Sequence, residues 1–233
     1  MFWLFLAGCD EPLGSVQFSG MVQDAPGNLG GAVEGATVTA QNRSGEVTGT
    51  DETDADGAFS VTVGAGVSMF ITVAASGYVT TSFSGLAGTE DFDADTGYPW
   101  IATEDWVATQ RAFFDGCPNA TTEGTMVLGQ SLVYVPNSND PGSWPALSGV
   151  EIHVLGSDGV TYSACYLDDD NVSAPTATST GGTGSYAVFG VPAGGIDVTA
   201  DAIRGNGEMG TDVFEFIAPE GGLIPIFPTA IAI

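Results

Sequence analysis

The sequence predicts an all-β protein made of two copies of one antiparallel β-sandwich joined by a short helix, and three observations carry that prediction. The first is the stretch from Asp54 to Tyr78, in which a tight Asp-Ala-Asp-Gly turn leads into Phe59, Val61 and Val63 on one face, with Ala58, Ser60 and Thr62 on the other. A period of two is that of a half-buried strand. Gly64 and Gly66 interrupt it, and Phe70, Thr72 and Ala74 then alternate with Ile71, Val73 and Ala75, so the unit is a hairpin. The second observation is that this hairpin returns over Thr183 to Ala200: aligning Gly57 with Gly184 puts Phe59 on Tyr186 and Val61 on Val188, and farther along Ile71 and Val73 fall on Ile196 and Val198. The third is composition. The chain holds 34 Gly and 12 Pro among 233 residues, spread without a collagen-like period, and 43% hydrophobic residues, which suits a turn-rich protein with a packed core.

The repeat extends upstream, where Gly35-Ala36-Thr37-Val38 matches Gly149-Val150-Glu151-Ile152. The second copy is longer between Tyr166 and Thr180, and these extra residues, with Asp168, Asp169, Asp170 and Asn171 among them, read as a surface loop. A repeat of about a hundred residues exceeds the ~20 to 50 of solenoids and indicates duplication of a whole domain. The chain length suits two such domains.

Three pieces of the first copy, Gly35-Ala36-Thr37-Val38, Thr53-Asp54-Ala55-Asp56-Gly57-Ala58-Phe59 and Ala75-Ser76-Gly77-Tyr78, resemble the pattern of carboxypeptidase regulatory-like domains. The second copy is similar at Gly149-Val150, Thr183-Gly184-Ser185-Tyr186 and Val191-Pro192-Ala193-Gly194, and departs in having Thr183 where the first has Asp56 and no Gly-Tyr after its hairpin. The resemblance implies two transthyretin-like, Ig-like sandwiches of the kind found in tandem in exported bacterial proteins. It is a turn-and-core signature and implies nothing about activity. Transthyretin-like hydrolases of 5-hydroxyisourate rely on several histidines and a C-terminal tetrapeptide, and this chain has one histidine and no such ending.

Residues 1–9, MFWLFLAGC, are apolar and end in Leu6-Ala7-Gly8-Cys9, which looks like a bacterial lipobox. The resemblance implies cleavage before Cys9, lipidation of that cysteine by a multiply acylated anchor, and a protein held in the membrane of the cell envelope, at the outer membrane or a periplasmic face. The apolar run is shorter than the usual ~7 to 15 residue core and no Lys or Arg precedes it; a frayed terminal strand with an incidental cysteine is the competing reading. Residues 1–14 are then signal and tether. No other segment has the ~18 to 20 apolar residues of a membrane helix.

The first sandwich is expected over 15–98 and the second over 125–233, with a linker at 99–124. In that linker Thr103, Glu104 and Asp105 suit a helix start, and Trp106, Val107, Gln110, Phe113 and Phe114 form one stripe before Gly116. A helix over 103–115 follows, its aromatic stripe packed between the two sandwiches or against one of them rather than offered to a partner. Cys117 and Cys165 make one even pair, and in an oxidising compartment a disulfide closes a loop of 48 residues; two buried thiols are the alternative. Pro225 and Pro228 cannot donate to a ladder, which places the last strand at an edge where it closes the sandwich or adds to another protein's sheet.

Charge is the unusual quantity. Three Lys plus Arg stand against 29 Asp plus Glu, a net charge of −26, and all three cations are Arg. Such a surface repels nucleic acid and anionic headgroups, which excludes both as direct partners and leaves an envelope protein as the expected partner class. A solvated acidic coat is the plain reading of the charge, and a surface for a basic partner is another. A sharper one is calcium, shared by Asp51, Asp54 and Asp56 or by Asp168, Asp169 and Asp170, although an EF-hand counted from Glu52 has Val63 where a bidentate Glu is required. Tyr98, Trp100 and Trp144 are candidate stacking residues for a carbohydrate, each with the alternative of a core plug. One histidine and three cysteines cannot supply both a triad and a zinc site, and no nucleophile elbow, P-loop or dinucleotide fingerprint occurs. The sequence therefore predicts no catalytic residue and no resident cofactor: a structural or interaction module, with a carbohydrate- or calcium-binding module as the other class.

Overall fold

The computed structural model describes residues 13–24, 30–94, 99–117, 120–121, 123–133, 144–203 and 207–231, with side chains described as far as 226. The first half contains β1 (Ser15–Met21), β2 (Gln23–Asp24), β3 (Thr37–Gln41), β4 (Val47–Glu52), β5 (Ala58–Gly64), β6 (Ser68–Ala74), β7 (Tyr78–Val79), β8 (Thr81–Leu86), β9 (Phe92–Asp93) and β10 (Trp100–Thr103), followed by α1 (Glu104–Phe113). The second contains β11 (Thr125–Val133), β12 (Glu151–Leu155), β13 (Thr161–Ser163), β14 (Cys165–Leu167), β15 (Ser173–Ala174), β16 (Ser185–Val191), β17 (Gly194–Ile203), β18 (Met209–Ala218) and β19 (Leu223–Ile231). The all-β sandwich architecture is as the sequence predicts, and among the described residues one helix connects the halves.

Each half has the same topology. In the first, β5-β1-β9 forms one layer, with β1 and β9 parallel, and β4-β3-β6-β8 forms the other. In the second, β16-β11-β19, again with first and last strands parallel, faces β13-β12-β17-β18. The period-two pattern is the cause: Phe59, Val61 and Val63 of β5 and Tyr186 and Val188 of β16 point inward and are buried. The repeated hairpins are thus not flat ribbons. Their two strands belong to opposite layers, and β6 and β17 pair instead with β3 and β12.

The two halves share one sheet. Leu223 of β19 pairs with Thr81 of β8, and the Leu223 amide donates to the Thr80 carbonyl at 2.8 Å, so a nine-stranded sheet runs β15-β14-β16-β11-β19-β8-β6-β3-β4. This corrects the expected edge position of the last strand. β19 lies between β11 and β8, and its prolines are tolerated because no ladder to β8 continues beyond Leu223, while the register with β11 shifts between Gly129 and Ser131, opposite Pro228.

Burial follows the same division. One core cluster combines Phe18, Phe59, Ile71 and Phe83 of the first half with Val107 and Phe114 of the helix region and Met126, Leu128, Phe189 and Leu223 of the second. A separate cluster around Ile152, Tyr186, Val198 and Ile224 fills the second sandwich. The helix spans Glu104–Phe113, capped by Thr103, whose Oγ1 accepts from the Trp106 amide at 3.2 Å. Of its stripe, Val107 and Phe114 are buried and Trp106 half-buried, but Phe113 is 48% exposed, so the stripe packs less completely than its spacing predicts. Trp106 rests on Trp100, and Phe113 lies two turns beyond that contact.

Candidate functional site

The two copies repeat a threonine clamp as well as a topology. In the first, Thr53 Oγ1 accepts from the Ala36 amide at 2.8 Å and donates to the Val33 carbonyl at 2.6 Å, while the Thr53 backbone exchanges hydrogen bonds with Gly35 and Ala36. In the second, Thr180 Oγ1 accepts from the Val150 amide at 3.0 Å and donates to the Leu147 carbonyl at 2.8 Å, with the same backbone exchange at Gly149 and Val150. Both threonines are 3% exposed. Four residues on, Gly57 and Gly184 have φ of +75° and +69° and accept from the first-strand amides of Val22 and Ser131. A Cβ at Gly57 would stand 2.6 Å from the Val22 carbonyl oxygen, and one at Gly184 closer still to that of Ser131. Only glycine fits there. Sequence reasoning found the glycines and missed the clamp, although Thr53 and Thr180 stand at the same distance before them.

These hydrogen bonds also show what the candidate calcium ligands do. Asp54 Oδ1 accepts from the amides of Asp56 and Ala58, both at 2.9 Å, and closes the turn before β5. Asp168 Oδ1 accepts from Asp170 and Val172 at 3.0 and 2.9 Å in the same way. Asp51 accepts from Glu52 and Ser60, and Asp169 from Gly182. The Asp56 and Asp170 carboxylates are exposed. A side-chain oxygen that folds a turn back on itself is the usual employment of Asp at such positions. Among the described residues no group of three or more His, Cys, Asp or Glu is placed to hold a metal ion, so neither trio converges on a shared site. The acidic loop does border an open cleft of ≈ 360 Å³ with Leu167 and Ala177.

The candidate stacking residues divide. Tyr98 and the lipobox cysteine Cys9 lie outside the described residues. Trp100 is 8% exposed and meets Phe83 and Trp106 edge-on at 6.1 and 5.8 Å, so it is a core plug and presents no platform to a sugar. Trp144 is half-buried beside the β11 bridge at Leu132 and Ala146. The lone His153 stands on the outer face of β12, its Nε2 3.1 Å from Glu151.

What the described residues do assemble is a junction. Trp106 anchors α1 to Trp100 in the first half, and Phe114 anchors the helix end to Phe189 in the second, edge-on at 5.9 Å. Three residues later Cys117 forms a disulfide with Cys165 of β14, with Cα atoms 6.1 Å apart, both cysteines buried. On the other side of the joint, Arg43 of the β3–β4 turn pairs with Glu215 of β18, and Ser68, Phe70, Leu86 and Val213 border a groove of ≈ 440 Å³. Two of the perturbed titratable groups lie in the second sandwich, outside this junction. Asp158 is held below the usual carboxylate range by the Val160 amide and the Tyr162 hydroxyl, and burial pushes the Tyr166 hydroxyl up to about 12. The Tyr166 hydroxyl accepts from the Ile152 amide at 2.8 Å, a bond between β14 and β12 across the second sandwich.

No family model matches the sequence, and no curated protein matches it. Among solved structures, the shaft pilin SpaA of Lactobacillus rhamnosus GG aligns at 11% identity over 91% of this chain and 96% of its own, with a TM-score of 0.29. The minor pilin GBS52 of Streptococcus agalactiae aligns at 10% identity over 91% and 93%, with a TM-score of 0.31. The TIE protein of Bacillus anthracis aligns at 13% identity over 93% of this chain, which spans 34% of that protein, with a TM-score of 0.28. At such scores the likeness carries no function across, and the sandwich assignment rests on this chain's own strand pairing.

Proposed function

We propose that the chain is a non-catalytic structural and protein-interaction module of the bacterial cell envelope, exported by residues 1–14 and held in the membrane by lipid on Cys9. Its two domains, 15–98 and 125–233, are of the carboxypeptidase regulatory-like kind, and the linker 99–124 locks them into one spacer. The observation that carries this reading is the core cluster that runs from the first half through the helix into the second. A joint filled by packed aromatics and tied by a disulfide transmits position and force. The anchor is supported by the Leu6-Ala7-Gly8-Cys9 motif, and no described helix is long and apolar enough to cross a membrane.

Two measurements test it. Expression in a bacterial host with a palmitate analogue should label the chain and fail to label a Cys9→Ala variant; equal labelling of both removes the anchor. Spin labels placed by non-canonical residues at Ser44 and Ser157 should give one narrow distance distribution, and a broad one removes the rigid spacer.

A further inference from the structure

The layer β13-β12-β17-β18 turns one face to the second core and the other outward, and the outward face has a register that works against itself. Glu151 of β12 stands directly opposite Asp201 of β17, and Asp197 of β17 directly opposite Glu215 of β18. Like charges facing each other across strands destabilise the pair. An acidic coat that serves only solubility gains nothing from that placement, because the same charges staggered would repel less. Among the described residues, Asp197 and Asp201 meet no cationic side chain; Asp201 takes only the Thr211 hydroxyl. The same face exposes large apolar groups where an antiparallel sheet normally turns polar ones outward: Met209 is 66% exposed and Val213, beside Glu215 in the β18 row, is 56% exposed.

We propose that this outer face docks an extended basic segment of a partner protein, one that alternates Lys or Arg with aliphatic side chains; the inference rests on the reading of the chain as an interaction module. The commitment to a basic partner comes from charge complementarity. Arg43 already answers Glu215 and His153 stands beside Glu151, so a neutral or acidic segment leaves Asp197 and Asp201 without a cation, whereas cations spaced at the strand period supply one and the segment's aliphatic groups cover Met209 and Val213. The chain shows the interaction on itself: at Glu215 the cation is Arg43, a guanidinium brought by the turn of a different sandwich onto this sheet.

The probe is a ten-residue peptide alternating Lys and Val, with a Glu–Val peptide of equal length as its control, titrated against the intact disulfide-bonded chain. The Lys–Val peptide should bind, weaken about tenfold when Asp197→Asn and Asp201→Asn are combined, and weaken again in Val213→Thr. Neutralising Glu34 and Glu52 of the first half, which removes the same net charge elsewhere, should leave affinity unchanged, and raising salt from about 50 to 500 mM should abolish the difference between the variants. Equal weakening by both double substitutions would show a diffuse polyanion effect and overturn the proposal, as would binding of the Glu–Val peptide or no binding of the Lys–Val peptide. Cys9 labelling and the spin-label distances are untouched by these substitutions, so failure of the docking face is distinguishable from failure of the envelope reading.

Discussion

The two sandwiches carry the same frame and close it differently. In both, an aromatic on the strand that pairs antiparallel with the first lies over a glycine of that first strand: Phe59 beside Gly20 and Tyr186 beside Gly129. In both, a buried threonine clamps the turn that precedes this aromatic. The closing strand is where they part. In the first half it is β9, two residues long, and Asp91 completes the pairing by accepting from the Gln17 amide with a side chain. In the second it is β19, paired along most of β11. The crossing strand differs too. In the second half it changes layers, β13 pairing with β12 and β14 with β16, whereas in the first β4 remains on β3 and reaches β5 by the side chains of Thr48 and Asp51 and by packing of Gly49 on the Thr62 backbone, without a ladder. A duplicated core thus tolerates large differences at its rim, because burial fixes the register of the centre and leaves the edges free to vary.

The largest expected effect breaks the symmetry. Only the second half is tied by Cys117–Cys165, so replacing both cysteines by Ser should cost about 4 kcal/mol, as loop closure over 48 residues implies, and should leave the amide protection of β3 and β6 in hydrogen exchange less changed than that of β14 and β16. Next are the turn glycines, which should behave alike: Gly57→Ala and Gly184→Ala each force a left-handed alanine against a carbonyl and should cost about 3 kcal/mol in urea denaturation. A twofold difference in cost between them would mean that the frame is not shared. Thr53→Val and Thr180→Val keep the shape and strand one amide and one carbonyl each, for an expected loss of about 2 kcal/mol, with faster exchange at Ala36 and Val150 respectively.

A pH test separates the halves again. Tyr166 binds its proton more tightly folded than unfolded, so its contribution is complete below pH 10, the unfolded value, and is lost as the pH rises through about 12. Stability should fall by about 2 to 3 kcal/mol over that window, and Tyr166→Phe should flatten the slope. The smallest effect belongs to the strut between the halves: Arg43→Ala should cost under about 1 kcal/mol, less still at high salt, because the arginine side chain is 68% exposed.

Much of this frame was legible because it is written in period-two burial and in glycine. The alignment of Gly57 with Gly184 held in three dimensions as a shared positive φ and a like approach to a first-strand carbonyl, and Thr103 capped α1 where the sequence placed it. What escaped was whatever depends on partners distant in sequence. The Asp trios looked like ligands because carboxylates close in sequence are visible, while the amides that occupy Asp51 and Asp169 belong to Ser60 and Gly182 across turns. Pro225 and Pro228 argued for an edge, and nothing local could show that β8, from the other half, would border β19 by one residue. Trp100 read as a plug sooner than as a platform, and Phe83 and Trp106, which cover it, are the partners that sequence could not name.

The shared strand β19 also sets an order of events. β11 is synthesised roughly a hundred residues before the strand that flanks it, and loop closure over such a distance is among the slow steps of β-protein folding. Until β19 arrives, both β11 and Thr81 at the start of β8 present unpaired backbone, so the nascent chain carries two sticky margins that one late segment silences together.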